Sequence, residues 1–199
     1  MKHLIEFVKN VKETGAVAPS SRFLVKDLVA NLKEQLQKKA QEPVRILELG
    51  PGTGVLTKEI LKAIRPIDHF DAVELSRYFY CHLLKKYRHE NINLINGDFM
   101  DYESDESYDF IFSSLPYETM PEKLVHDIWE KKLSLSKSNA YICYYKYLNF
   151  KQFKCDFEKE MVDRYQEDKS LVVLNLPPAR CFTLKLNGQH QEKEPAVIS

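Results

Sequence analysis

The chain reads as an α/β domain: a mostly parallel sheet with helices on both faces and a terminal antiparallel hairpin. Three observations predict this. In Arg45-Ile46-Leu47-Glu48-Leu49-Gly50-Pro51-Gly52-Thr53-Gly54, an apolar run meets an acid, then three glycines on alternate positions, then helix-forming residues. That order describes a buried strand, a loop whose glycines take positive φ and admit a ligand closely, and a helix. The same grammar returns downstream, with short apolar runs alternating with helical periodicity. Near the end, two apolar runs flank Asn175-Leu176-Pro177-Pro178-Ala179, as a hairpin would require.

The elements follow in order. Leu4, Phe7, Val8 and Val11 recur at helical spacing over residues 2–13, with Lys2, Lys9 and Lys12 among the polar positions. Gly15–Pro19 ends that helix. Ser20 or Ser21 caps a second one, which runs to about Lys39 and carries Phe23, Leu24, Leu28, Leu32 and Leu36. Strand one is Val44–Leu49, and its helix runs from Val55 to about Ile64, before Pro66. Strand two is His69–Glu74, followed by helix Arg77–Tyr87, and strand three is Ile92–Asn96. Tyr108–Ser113 and Ala140–Tyr145 form strands four and five, around a helix holding Val125, Ile128 and Trp129. Leu171–Leu174 and Cys181–Leu186 pair as the hairpin, and a polar tail occupies 188–199. The organisation is a helical segment over 1–40, the sheet domain over 41–187, and the tail.

Composition narrows the function. With 199 residues the chain is long enough for one full core. Its 29 basic and 29 acidic residues cancel, which argues against a wholly nucleic-acid-coating surface. Cys81, Cys143, Cys155 and Cys181 are scattered without metal-ligand spacing, so reduced thiols in a cytoplasmic protein are expected and no metal is called for. No apolar run approaches a spanning helix.

Ligands of open α/β sheets bind at the carboxyl ends of the strands, and four features fall there. Gly50, Gly52 and Gly54 open the first loop, and Glu48 precedes it. Glu74 ends strand two about 20 residues beyond the glycines, where an acid can accept both ribose hydroxyls. Asp98 follows strand three, where it can accept from an adenine amine. Phe99 adds an aromatic wall and a backbone N–H.

The Glu-x-Gly-x-Gly-x-Gly form, Glu48 to Gly54, resembles motif I of class I S-adenosylmethionine (SAM) methyltransferases. The resemblance implies their Rossmann-like, seven-stranded fold and SAM as cofactor, with Glu48, Gly50, Gly52, Gly54, Glu74, Asp98 and Phe99 around it. NAD is the competing ligand, since it uses the same glycines and acid; the last fingerprint glycine is missing here.

The turn after strand four, Ser114-Leu115-Pro116-Tyr117, is similar to the Asn-Leu-Pro-Tyr of ribosomal RNA adenine dimethylases, with serine in place of the amide. A second likeness spans residues 3–186. Gly15–Leu24, Ser114-Leu115-Pro116 with Met120-Pro121, and Asn175–Ala179 resemble bacterial phospholipid N-methyltransferases, which methylate phosphatidylethanolamine. That likeness implies a phospholipid substrate at an anionic membrane surface, an amphipathic helix 2–13 bound there, and a cytoplasmic protein peripheral on the inner face. Ser114 and the Leu115 and Pro116 carbonyls would orient the acceptor amine, and Tyr117 would close over it. Arg22 and Arg180 are candidates for a lipid phosphate, and Tyr141, Tyr144, Tyr145 and Tyr147 for an acceptor cleft. The alternatives are RNA adenine N6-dimethylation and SAM binding without catalysis.

Overall fold

The computed structural model describes residues 22–88, 90–148, 153, 155–173, 175 and 178–188. The expected helix 2–13, the cap at Ser20 or Ser21, the Arg22 side chain, and the tail from residue 189 lie outside the described residues.

The chain runs α1 (Arg22–Leu28), α2 (Ala30–Lys38), β1 (Arg45–Leu49), α3 (Val55–Leu61), β2 (His69–Glu74), α4 (Arg77–Tyr87) and β3 (Asn93–Asn96). It continues with β4 (Tyr108–Ser113), α5 (Glu122–Leu135), β5 (Ser136–Tyr147), α6 (Asp156–Tyr165), β6 (Gln166–Val172) and β7 (Ala179–Lys185). The strands form one seven-stranded sheet in the order β3-β2-β1-β4-β5-β7-β6. All pairs are parallel except the two that involve β7. An antiparallel β7 set between β5 and β6 departs from the 3-2-1-4-5-6 order of dinucleotide-binding sheets, which counts against the NAD alternative.

Period-two alternation splits the core into two layers. On β5, Tyr141 and Cys143 face α1, α2 and α3, whereas Ile142 and Tyr144 face α5 and α6. Cys181 and Phe182 divide the same way on β7. All four cysteines are free thiols. No helix among the described residues is long and apolar enough to cross a membrane.

Several expectations change. The helix drawn to Lys39 is interrupted at Val29, between α1 and α2. Leu24, Val25, Leu28, Leu32 and Leu36 are buried against Ile46 and Phe110, so α1 and α2 pack onto the sheet. The sixth strand lies earlier than Leu171–Leu174 because its hydrophilic residues form an exposed sheet edge. Helix α6 was not anticipated, although Met161, Val162 and Tyr165 give it a buried stripe.

Candidate active site

The loop after β1 is built from backbone conformations that side chains resist. Gly50, Gly52 and Gly54 have φ of 67°, 56° and 76°. At Gly54 space is also short: a Cβ would stand 2.7 Å from Leu83 Cδ2 and 2.9 Å from Tyr87 Cε2. At Gly50 it would meet Leu115 Cδ2 at 3.1 Å, so this loop touches the turn after β4. Helix α4 fastens the loop from the other side. Tyr87 Oη donates to the Gly54 carbonyl at 2.8 Å, and Lys86 Nζ to that of Thr53 at 3.0 Å. Nothing local in the sequence pointed to Tyr87 or Lys86, because the contact joins residues 33 apart.

The acids around the loop differ in kind. Glu74 is buried; its Oε2 accepts from Gly52 N–H at 2.9 Å and its Oε1 from Ser76 N–H at 2.7 Å. Asp98 is half-buried, and its Oδ1 accepts from Met100 N–H at 2.9 Å, capping the 3-10 turn Phe99–Asp101. Burial pushes its carboxyl up. Glu48 is fully buried beneath the loop. Its Oε2 accepts from Thr57 Oγ1 at 2.7 Å, and its Oε1 has no partner among the described residues. Burial pushes this carboxyl up to about 8. Glu48 therefore joins β1 to α3 beneath the loop. Phe99 corrects an expectation: its ring is only 3% exposed and packs in the α5-side core, leaving its backbone N–H as its contribution to the rim.

The turn after β4 starts against β1, with Ser114 N–H donating to the Leu49 carbonyl at 3.0 Å. Ser114, Leu115 and Pro116 are half-buried. The two carbonyls expected to hold an amine are partly spent. Leu115 O accepts from Tyr117 N–H at 3.0 Å, keeping one lone pair. Pro116 O accepts from both Thr119 N–H (3.1 Å) and Thr119 Oγ1 (2.9 Å), which fills it.

Tyr117 is the larger correction. It is fully buried, its ring edge-on to Tyr144 with centroids 5.7 Å apart. Its hydroxyl bonds Ser113 Oγ at 2.5 Å and accepts from Lys132 Nζ at 3.2 Å. A large ring gains most from full burial, and here its polar tip is satisfied inside the core, so it closes over no open pocket. Tyr141 and Tyr144 are likewise core residues, while Tyr145 and Tyr147 are half-buried.

A set of buried charges was not foreseen. Lys132 is fully buried with its Nζ 3.1 Å from the Trp129 ring centroid, and burial drives its amine well below the usual lysine range. A neutral amine there makes an N–H contact to the ring face rather than a full cation–π pair. Lys146 and Glu158 pair at 2.9 and 3.0 Å between β5 and α6. Glu118 Oε1 accepts from Tyr147 N–H at 3.1 Å. Lys132 could have been found in the sequence, since it falls on the stripe of Val125, Ile128, Trp129 and Leu135.

The ribosomal RNA adenine dimethylase model matches residues 20–175, most of the chain. The chain belongs to that family. A small-subunit ribosomal RNA methyltransferase A of Malacoplasma penetrans is 28% identical to this family member over 164 residues, covering 80% of this chain and 52% of that protein. The chain thus spans about half the length of that relative. An ornithine lipid N-methyltransferase of Singulisphaera acidiphila is 27% identical over 131 residues, covering 62% of this chain and 65% of that protein. Among solved structures, magnesium protoporphyrin IX methyltransferase of Synechocystis with bound SAM superposes with a TM-score of 0.63 at 13% identity, over 81% of this chain and 79% of that one. A class I SAM-dependent methyltransferase from Listeria monocytogenes gives 0.63 at 15% identity, over 94% and 67%. The fold of this dimethylase family member is the class I, Rossmann-like methyltransferase fold.

Proposed function

We propose that this chain is a SAM-dependent N-methyltransferase. The observation that carries the reading is the meeting of two loops. Leu115 lies against Gly50 and Ser114 N–H bonds the Leu49 carbonyl, so a nitrogen held on the β4 turn is next to whatever the glycine loop holds.

The residues fit the cofactor. Gly50, Gly52 and Gly54 set the turn by positive φ, and at Gly52, where a Cβ would meet nothing nearer than 4.0 Å, the loop is open to close approach. The Glu74 carboxylate, fastened to the loop through the Gly52 N–H, stands at the end of β2 where ribose hydroxyls would donate to it. Asp98 Oδ2 suits the adenine amine, and Phe99 N–H a ring nitrogen. When bound, SAM supplies an electrophilic methyl group. Ser114 Oγ and the open lone pair of Leu115 O orient the acceptor nitrogen.

RNA adenine N6 is the acceptor that the comparisons support. The family model and the Malacoplasma relative both point there, ahead of the phospholipid head group expected from the sequence. A lipid amine is the second reading, and the site favours it in two respects. Serine stands where the dimethylase turn has asparagine, and the Tyr117 ring that would stack on a flipped base is fully buried. The Singulisphaera relative belongs to the same argument. Under this reading the protein works at an anionic membrane surface.

The test is methyl transfer from labelled SAM to unmodified small-subunit ribosomal RNA and to phosphatidylethanolamine vesicles in parallel. Label in RNA supports the first acceptor and label in lipid the second. SAM binding without label in either supports a non-catalytic role.

A further inference from the structure

We infer that Glu118 is the carboxylate that selects a protonated aliphatic amine as acceptor and takes its proton. The inference rests on the second acceptor reading above and deepens it.

The geometry begins at a mismatch between strands. β4 ends at Ser113, opposite Tyr144, while β5 continues to Tyr147. Past the end of β4 the chain turns back through Tyr117–Thr119, and Glu118 Oε1 takes the Tyr147 N–H at 3.1 Å. This seats the carboxylate at the carboxyl edge of the sheet, between β4 and β5. Leu115, on the same turn, lies against Gly50 of the cofactor loop. Acid and cofactor loop thus flank one short segment.

The surroundings suit a cation. The only bonds the carboxylate makes among the described residues are to the Tyr147 N–H and its own backbone N–H, which occupy two of about four acceptor positions. It has no salt bridge among them. The charged groups nearest it are Lys146 on β5 and Glu158 on α6, and these are paired with each other. The phenols of Tyr117, Tyr144 and Tyr147 all stand close enough to feel its charge. Tyr117 and Tyr144 are core residues, so the recognition of an ammonium group falls to the carboxylate's open acceptor positions and the half-buried Tyr147 beside it.

The reaction supplies the reason for a base. An adenine amine is neutral at physiological pH. An aliphatic amine is protonated, with a lysine-like pKa of about 10.4, and has no lone pair to offer. Glu118 accepts the proton: an N–H bond breaks, an O–H bond forms on the carboxylate, and the electron pair stays on nitrogen as the free lone pair a nucleophile needs. Burial raises the carboxyl toward the range in which this transfer is efficient.

The experiment compares wild type with Glu118→Gln and Glu118→Asp. SAM binding is measured by calorimetry, and transfer on vesicles of phosphatidylethanolamine and phosphatidylglycerol and on small-subunit ribosomal RNA. The expected result is lipid label with wild type, SAM affinity kept in both variants, and transfer reduced about 10²-fold or more by Glu118→Gln. Glu118→Asp recovers part of the loss, and the residual Gln rate rises with pH as free amine accumulates. Lipid transfer by Glu118→Gln at the wild-type rate overturns the inference, as does label in RNA alone or in neither acceptor while SAM binds. Wild type that binds no SAM overturns the N-methyltransferase reading itself, a failure visible before any acceptor is added.

Discussion

Glu74 Oε2 and the N–H of Gly52 are 2.9 Å apart, so the acid that ends β2 fastens the loop that follows β1. One side chain therefore shapes the loop and, in the proposed function, also accepts from the cofactor's ribose. Replacing Glu74 with Ala removes both functions. SAM affinity should fall about tenfold to a hundredfold, the size of a charged hydrogen bond. Calorimetric titration checks this, and an unchanged affinity would remove the cofactor assignment.

Gly54 combines positive φ with two close neighbours, Leu83 and Tyr87. Gly54→Ala should destabilise the fold by on the order of 2 kcal/mol, from strain and overpacking together. Gly52→Ala, where a Cβ meets nothing nearer than 4.0 Å, should cost less. Urea unfolding of the two variants side by side measures the difference.

Glu48 gives a pH dependence whose sign follows from its carboxyl being raised from 4.5 to about 8. Between those values the folded chain holds a proton that the unfolded chain has lost. The contribution to stability is full below about pH 4.5 and disappears as pH rises through about 8. Glu48→Gln mimics the protonated acid, so its stability should decline less than that of wild type from pH 5 to pH 9. The gap should reach a few kcal/mol. Parallel slopes in denaturant titrations across that range would refute it.

Lys132 acts in the opposite direction. Its amine is held below the lysine range by burial, so as pH falls from about 10.5 the unfolded chain takes up a proton that the folded chain refuses. Stability is lost on that descent until the buried amine itself protonates. Lys132→Met keeps the volume and removes the penalty, and should be more stable than wild type by on the order of 1–2 kcal/mol at pH 7. The gain should shrink by pH 10. Thermal melts at the two pH values provide the check.

Much of the frame was legible from local pattern. His69–Glu74, Arg77–Tyr87 and Tyr108–Ser113 emerged with the bounds the sequence suggested, because buried strands and caps leave period and punctuation in the chain. The α6 helix and the length of β5 were missed where charges interrupt that period: Glu158 and Lys146 look like surface residues until each is seen to neutralise the other.

Local sequence determined the first five strands and the helices between them, the glycine loop, and the acids at the strand ends, since each depends on near neighbours along the chain. Only the tertiary structure decided which side chains face a ligand. It turned Tyr117 and Phe99 into the core, filled the Pro116 carbonyl, and set Glu118 at the open end of β4. The physical reason is that burial and hydrogen-bond satisfaction are settled by groups far apart in sequence. Tyr117 needed Lys132, Gly54 needed Tyr87, and Glu118 needed a β5 that outruns its neighbour.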